Sequence, residues 1–269
     1  MLHTIALAAA FCLSQFDAAP PAISNIRHTF VGEFGPPRAT NKYVPGDVMY
    51  VVFDVDHLHR NADGGVKYSI GMEVLDAKGK AIFTVPSSSQ RATLPLGGSK
   101  LPARVFLQLG PDMPPGSHAL RITVQDGTSG GAVSANTAFE VLPAKFAMVA
   151  IAASFDADGQ TPAPINAFVG QAIWLHLQVV GFARDSANKR PRIELKQTIF
   201  DSAGNVTHPT PTVLVSGDEP PDNQAGVPFS LALPLNRAGV FRVRLQATCK
   251  VSGQTHLVEI PVTVYRALK

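Results

Sequence analysis

The chain has 269 residues, of which 45% are apolar and 16% charged, and its formal net charge is +3 at pH 7. So few charges exclude a disordered polyelectrolyte and a coiled coil, because both classes need a much larger charged fraction. A net charge of +3 does not by itself indicate binding to nucleic acid, and the length suits two domains of ordinary size.

Residues 4–13, TIALAAAFCL, form a short apolar run near the N-terminus. A run of this length is typical of the core of a signal peptide and is too short to cross a membrane as a helix. We therefore predict a signal peptide over residues 1–19 and a secreted, periplasmic or cell-surface location. No later run approaches the roughly 18 apolar residues that a transmembrane helix needs, so no transmembrane segment is predicted.

Cleavage of the signal peptide removes Cys12 and leaves Cys249 as the single cysteine of the mature chain. An intramolecular disulfide is then impossible. Cys249 continues an apolar alternation that begins at Phe241, so we predict a buried and unreactive thiol.

The chain contains an internal repeat, in which four blocks recur in the same order 123 to 125 residues apart. The blocks and their counterparts are 43–55 with 167–179, 75–80 with 200–205, 106–124 with 229–247, and 139–141 with 262–264. Blocks that recur in constant order predict two copies of one module. The predicted domains are 20–143 and 144–269.

Both copies show the alternation of apolar and polar residues that is typical of half-buried strands. In the first copy, Met49, Val51, Phe53 and Val55 alternate with more polar neighbours. The segments DAKG and DSAG predict hairpins with a type I turn and a bulge. About seven strands in each copy is the number typical of a sandwich. The prediction is an all-β protein of two tandem antiparallel β-sandwich domains.

The segments VPGDVMYVVFDV (44–55) and PPGSHALRITVQD with AFEV (114–126, 138–141) resemble strands of bacterial immunoglobulin-like and fibronectin type III-like modules. The resemblance covers both repeats and implies an immunoglobulin-like sandwich. The chain departs from the pattern, because His118 and Phe241 stand where a corner tyrosine is usual and the immunoglobulin cysteine pair is missing. The resemblance implies a fold and no particular function.

No nucleophile elbow, phosphate-binding loop, dinucleotide fingerprint or HExxH motif occurs in the sequence, so no enzymatic activity is predicted. Arg242 and Arg244 occupy the polar phase of a strand without interleaved aromatic residues. They therefore indicate a solvated face, and no nucleic-acid partner is predicted.

The densest polar cluster is DVDHLHR, with Asp54, Asp56, His57 and His59. Strand alternation would place both histidines on one face and both aspartates on the other, and two such imidazoles can share a metal ion with a nearby carboxylate. The second copy lacks these residues. The alternative interpretation is a solvated strand end that enters a loop.

The segment DADG at 156–159 is a second candidate metal site. Asp156 and Asp158, followed by glycine, resemble the opening of a calcium loop, because calcium prefers carboxylate oxygens on a tightly turned backbone. No glutamate completes the loop, and Asx-turn hydrogen bonding explains the same residues without an ion. The prediction is therefore that the protein has no cofactor, with calcium as the alternative.

Tyr50 and Trp174 occupy equivalent outward positions in the two copies. An exposed ring on a sheet can stack on a sugar or anchor a protein partner, although such rings are often covered by a loop or a second domain. The hypothesis is a non-catalytic exported binding or spacer module with a protein or glycan partner at the cell envelope. The alternatives are a carbohydrate-binding protein and a periplasmic chaperone-like strand donor.

Overall fold

The computed structural model describes residues 19–216 and 225–266. Over these two ranges the protein contains sixteen strands and no helix, so the predicted all-β class is confirmed. It follows that these ranges hold no helix long and apolar enough to cross a membrane. The predicted signal peptide lies outside the described residues except for Ala19.

The first half of the protein has two sheets. Strands β1, β3 and β6 form a three-stranded sheet in that order, and a five-stranded sheet has the order β2-β8-β7-β4-β5. The strands are β1 (Ala22–Thr29), β2 (Lys42–Tyr43), β3 (Val48–Asp56), β4 (Gly65–Leu75), β5 (Ala81–Thr93), β6 (Leu101–Gln108), β7 (Gly116–Asp126) and β8 (Ala132–Val141).

The second half repeats this topology strand for strand. Its sheets have the orders β9-β11-β14 and β10-β16-β15-β12-β13, so each strand takes the place of the strand eight earlier. The strands are β9 (Ala147–Ser154), β10 (Asn166–Phe168), β11 (Ala172–Val180), β12 (Ile193–Asp201), β13 (Thr212–Val215), β14 (Gly226–Pro234), β15 (Gly239–Cys249) and β16 (Thr255–Tyr265).

One pair of strands in each half corrects the antiparallel prediction. β2 runs parallel to β8, and β10 runs parallel to β16, whereas the other paired strands are antiparallel. The reason lies in the topology. After the first strand of each half, the chain crosses from the three-stranded to the five-stranded sheet. There the second strand of the half (β2 or β10) runs beside the final strand (β8 or β16) in the same direction.

Each half has a core cluster that draws residues from both of its sheets. In the first half, Phe53 of β3 and Ile122 of β7 belong to one buried cluster, and in the second half Leu175 of β11 and Leu245 of β15 belong to another. The alternation predicted for β3 is confirmed, because Met49, Val51, Phe53 and Val55 are all buried. Side chains of a strand point to opposite faces in turn, so these residues fill the space between sheets.

The strand register corrects the repeat alignment at β6. Gln108 and Pro234 occupy equivalent positions, at an offset of 126 residues, whereas Gly116 and Gly239 correspond at an offset of 123. The single offset of 123 assigned to 106–124 is therefore wrong for its first strand. The physical reason is that the β6–β7 loop is three residues longer than the β14–β15 loop.

The predicted Asp-x-x-Gly turns are confirmed. The N–H of Gly79 donates to the carbonyl of Asp76 at 2.9 Å, and Gly79 has a φ of 79°. Gly204 donates to Asp201 in the same way at 3.0 Å, with a φ of 85°. A left-handed residue is required after the turn, and glycine adopts this conformation without steric cost.

Candidate functional site

The loop between β1 and β2 carries Val31 into the core of the second half. Val31 is buried and belongs to the same cluster as Ile151 and Ala153 of β9. Its φ is 64°, a conformation that β-branched residues rarely adopt and that costs about 1–3 kcal/mol. Burial of a valine side chain contributes about 1.5–3 kcal/mol, which offsets this cost. The loop therefore joins the two halves through a core contact.

Asp47 connects the halves through hydrogen bonds. Its Oδ1 accepts the backbone N–H of Val48 at 2.9 Å and that of Ala150, in the second half, at 2.8 Å. Its Oδ2 lies 3.2 Å from a guanidinium nitrogen of Arg38. The carboxylate is buried, and a buried charge needs such partners to offset its loss of hydration.

A small apolar cluster completes the interface between the halves. It contains Val44 of the first half and Ala147, Val149 and Val180 of the second, with Leu142 packed against it. A cavity of about 270 Å³ lies beside this cluster and is lined by residues of both halves. The contact is thus partly apolar and partly hydrogen-bonded.

The repeat places an exposed version of this interface on the second half. In the second half, the residues equivalent to Phe30, Val44, Pro45 and Leu142 are all apolar and exposed. In the same order they are Phe155 (43% exposed), Phe168 (49%), Val169 (36%) and Tyr265 (48%). The rings of Phe168 and Tyr265 pack with centroids 5.7 Å apart. We call these four residues the C-terminal end patch. Sequence reasoning missed this patch, although the apolar residues at repeat-equivalent positions are visible when the two copies are aligned.

The two predicted aromatic residues lie on the outer faces of the three-stranded sheets. Tyr50 pairs across strands with Phe106, whose side chain is 63% exposed, and their ring centroids are 6.3 Å apart. Burial and the carboxylate of Glu33 raise the pKa of Tyr50. Trp174 stands opposite Ala232 and is half-buried. The structure therefore pairs the half-buried ring of Tyr50 with the exposed ring of Phe106, which the sequence did not single out.

The predicted cluster at 54–60 is divided by the end of a strand. β3 ends at Asp56 and His57 has a φ of 63°, so the alternation that would align His57 with His59 stops before them. Both histidines are exposed. The carboxylates of Asp54 and Asp56 instead lie 4.0 and 3.8 Å from Nζ of Lys100. The strand alternation on which the shared face of the two histidines was predicted therefore does not extend to them, and metal binding by this cluster stays a prediction.

The DADG segment forms a tight turn stabilised by Asp156. Its carboxylate oxygens accept backbone N–H groups of Gln160 at 2.8 Å and Thr161 at 2.7 Å. These hydrogen bonds, that from Gln160 first, lower the pKa of Asp156. Asp158 accepts a hydrogen bond from the Gln160 side chain at its backbone carbonyl. Among residues 19–216 and 225–266, no group of three or more His, Cys, Asp or Glu side chains could hold a metal ion. The absence of a cofactor stays a prediction, and calcium stays its alternative.

Sequence reasoning also missed a serine–histidine network under the DADG turn. Oγ of Ser154 lies 2.6 Å from Nε2 of His176, and Nδ1 of His176 lies 2.9 Å from Oγ of Ser230. The Ser154 hydroxyl donates to the carbonyl of Asp156 at 2.6 Å, and Ser154 is only 2% exposed. A nucleophile must reach its substrate, so this arrangement fixes the turn and does not resemble a catalytic pair. The partners are 22 and 54 residues apart, and no local motif marks them.

The edge strand β5 is the longest strand of the described chain and lies almost wholly exposed. Among the strands of the described residues, it pairs with β4 alone. The pairing shifts register between Ile70 and Met72, opposite Pro86. Proline lacks a backbone N–H, and a proline or bulge at an edge interrupts the ladder that an added strand would need.

Arg242 and Arg244 are partly neutralised on their strand. Their guanidinium groups lie 3.5 and 2.8 Å from carboxylate oxygens of Glu259. Both also lie over the ring of Phe200, 5.2 and 4.6 Å from its centroid. The pair thus belongs to a local network on the sheet face.

No protein-family model matches the chain, and no curated protein matches it. Among solved structures, the chain is similar to dimeric latent PorU from Porphyromonas gingivalis, with 13% identity and a TM-score of 0.37 over 97% of this chain and 22% of that one. A second similar structure is the alkylpurine DNA glycosylase AlkC from Pseudomonas fluorescens bound to DNA containing an abasic site analog. It has 14% identity and a TM-score of 0.29 over 46% of this chain and 30% of that one. The chain thus spans less than a third of either protein, and TM-scores this low carry no functional argument.

Proposed function

We propose that the protein is a non-catalytic, exported binding or spacer module of two immunoglobulin-like β-sandwich domains, over 20–143 and 144–269. It acts in the periplasm or at the cell surface, needs no cofactor, and contacts a neighbouring module through the C-terminal end patch. One observation carries this proposal: residues that are covered between the two halves have exposed apolar counterparts at the same end of the second half.

The inter-half contacts support a spacer of restricted geometry. Domains of one chain move relative to each other unless a substantial interface prevents it. Val31 is buried in the core of the second half, and Asp47 accepts the N–H of Ala150. Rotation about the connection would remove both groups from their partners. The two halves therefore present their outer surfaces in a constant relative orientation.

The chemistry of the inter-half contact defines the partner of the C-terminal end patch. Within the protein, the apolar side chains Val149 of β9 and Val180 of β11 cover Val44. By the repeat, the patch fits another β-sandwich whose first strand presents apolar side chains in the same way. Exposed apolar side chains that cluster, as Phe168 and Tyr265 do, are typical of such an interaction site.

A second copy of this chain fits the patch poorly. In the first half, Ser24 and Asp56 take the places of Val149 and Val180, and the Ser24 hydroxyl donates to the Asp56 carboxylate at 3.0 Å. A serine and an aspartate cannot reproduce the apolar contact that Val149 and Val180 make with Val44, because the rings of the patch offer them no polar partner. The partner is accordingly a different module.

Photo-crosslinking tests this function directly. The crosslinking residue p-benzoylphenylalanine replaces Phe168 in the patch, and in a control variant it replaces Leu96, which is 99% exposed and lies outside the patch. In the native cells, we expect crosslinks from position 168 to the first strand of a β-sandwich protein and none from position 96. No crosslink from position 168, equal crosslinking from both positions, or a product joining two copies of this chain would contradict the proposal.

Carbohydrate binding is a second candidate because the Tyr50–Phe106 pair exposes a ring on an open sheet face. A glycan array tests it, with Phe106→Ala as the variant and Phe34→Ala, which alters an exposed ring in the β1–β2 loop, as the control. Binding that is lost only in Phe106→Ala supports a sugar site, and no binding by the parent protein contradicts one. The strand-donor alternative has less support, because Pro86 and its bulge interrupt the long exposed edge.

A further inference from the structure

The second half contains an apolar cavity of about 370 Å³ between its two sheets. Its walls include Leu233 and Leu235 from one side and Val243, Val262 and Val264 from the other, all of them buried. A volume near the lower end of the range for ligand sites, about 300–1,000 Å³, suits a small molecule. A well-packed sandwich core has no opening of this size.

The first half has larger side chains at the positions equivalent to this part of the second half. Strand pairing makes Phe139 the counterpart of the lining residue Val262. It makes Tyr43 the counterpart of Ala167, which lies beside the lining residue Val264 in the sheet. The rings of Tyr43 and Phe139 are buried and pack edge to face with centroids 6.1 Å apart. Leu120 is likewise replaced by Val243. The same fold thus fills this space with large side chains in one half and leaves it open in the other.

The mouth of the cavity is polar and carries a positive charge. His208, Asn236 and Arg237 line it and are exposed, and the Arg237 guanidinium lies 5.2 Å from the ring centroid of Phe241. Among residues 19–216 and 225–266, no carboxylate lines the cavity. Asp201 interacts electrostatically with Arg237, but its Oδ1 already accepts backbone N–H groups within its own turn.

From these features we propose that the cavity binds a small amphipathic carboxylate, with its aliphatic chain between the sheets and its carboxylate beside Arg237. The aliphatic walls favour a flexible saturated chain because they contribute dispersion contacts and exclude water. The guanidinium favours an anionic head, since arginine forms bidentate hydrogen bonds with carboxylates. This site is independent of the C-terminal end patch, so the failure of one proposal leaves the other standing.

Titration calorimetry with octanoate and its neutral analogue 1-octanol tests the proposal. We expect octanoate to bind about tenfold more tightly, because one charge-assisted hydrogen bond corresponds to roughly that ratio. In Arg237→Gln this preference disappears, while octanol binding is unchanged. The control Lys250→Gln removes a charge that pairs with Glu194, outside the cavity lining, and should alter neither affinity.

Filling variants test the location of the site. Ala167→Tyr combined with Val262→Phe installs the side chains of the first half and should abolish binding of both ligands. If the double variant fails to fold, Val243→Leu is a milder test, because it installs the leucine that stands at the equivalent position 120. Val243→Leu should weaken the affinities for both octanoate and octanol. Absence of octanoate binding at millimolar concentration overturns the proposal, as does binding that persists in a folded filling variant. Equal affinity for octanoate and octanol overturns the role of Arg237.

Discussion

The Asp47 carboxylate accepts a 2.8 Å hydrogen bond from the backbone N–H of Ala150, across the boundary between the two halves. Ala150 lies where the β9–β11 pairing shifts register and has a φ of 51°, so its N–H is available outside the ladder. Its repeat counterpart Asn25 has the same φ, and the side-chain Nδ2 of Asn25 donates to the Asp54 carboxylate of its own half at 2.6 Å. Both copies therefore have the bulge, but only the bulge at Ala150 donates a hydrogen bond from one half to the other.

Asp47→Ala should lower the free energy of unfolding by about 1.5–3 kcal/mol, because it leaves the N–H of Ala150 and the Arg38 guanidinium without this carboxylate. Urea denaturation measures the change. Glu140→Ala is the control, since Glu140 pairs with Lys42 at an exposed position and should cost less than about 1 kcal/mol. Equal effects of the two substitutions would show that the inter-half hydrogen bond contributes little.

Val31→Ala should destabilise the second half although Val31 belongs to the first. It removes two methyl groups from the second core, with an expected cost of about 1–2 kcal/mol. Trp174, the single tryptophan, lies in the second half, and its fluorescence during urea denaturation reports the effect. Val215→Ala, at a residue 66% exposed, should change stability by less than about 0.5 kcal/mol. A Trp174 transition that is the same in Val31→Ala as in the parent protein would contradict the insertion.

Stability should fall on acidification from about pH 6.5 towards pH 4 because of His28. Its Nδ1 lies 2.8 Å from the Tyr43 hydroxyl and its Nε2 2.8 Å from Oγ1 of Thr137. Burial, and then the charge of Arg38, lowers the pKa of His28 to about 4. Between these pH values the unfolded chain binds a proton that the folded protein does not, so the stability present above about pH 6.5 is progressively lost. The expected loss is about 2–3 kcal/mol.

Denaturation at pH 7 and pH 4.5 compares the parent protein with His28→Gln, which should show a smaller loss on acidification. Burial, and then the charge of Lys145, lowers the pKa of His256 too, so His256 contributes with the same sign and a residual loss is expected. The control His57→Asn alters an exposed histidine with a left-handed backbone and should retain the parent pH dependence. An unchanged pH dependence in His28→Gln would contradict the assignment.

Cys249 should resist thiol reagents in the native protein and react after denaturation. It is fully buried, and its Sγ lies 3.7 Å from the carbonyl oxygen of Ala183. Burial raises the pKa of the thiol, but hydrogen bonds from Ser252 and nearby N–H groups lower it further than burial raises it, so access rather than ionisation limits reaction. A Cys12→Ser background isolates the signal. Rapid native labelling would contradict this burial, and Cys249→Ala should cost about 1 kcal/mol.

Millimolar calcium should leave the melting temperature unchanged, because both carboxylate oxygens of Asp156 already accept backbone N–H groups. Asp156→Ala should lower the melting temperature, since it removes these partners, whereas Asp158→Asn should have little effect. A calcium-dependent increase that Asp158→Asn abolishes would instead establish the calcium site that the DADG segment suggests, since a ligand specific to the native state stabilises it.

Several features of the fold follow from short stretches of sequence. The alternation around Phe53 predicted a strand and its buried face, and the DAKG and DSAG segments predicted turns that end in left-handed glycines. The phase of Cys249 predicted its burial. Each prediction depends on interactions within a few residues, where backbone geometry alone relates side-chain direction to position.

The candidate sites were less predictable. The sequence around each residue does not predict that Val31 is buried in the other half and that Phe168 is exposed. The serine–histidine network joins residues on three strands, and the cavity is lined by Val243 and Val262, where the first half has the larger Leu120 and Phe139. A single offset also misaligned β6, because it ignored a change in loop length.

The sequence by itself determined an all-β chain with a repeated strand order, because strand periodicity and turn chemistry are local properties. Only the tertiary structure decided which equivalent positions are covered, which are exposed and where a core is left open. These outcomes depend on contacts between residues distant in the chain, such as Asp47 with Ala150, and on side-chain volumes summed across two sheets. Two copies with one topology can therefore differ in every surface on which binding depends.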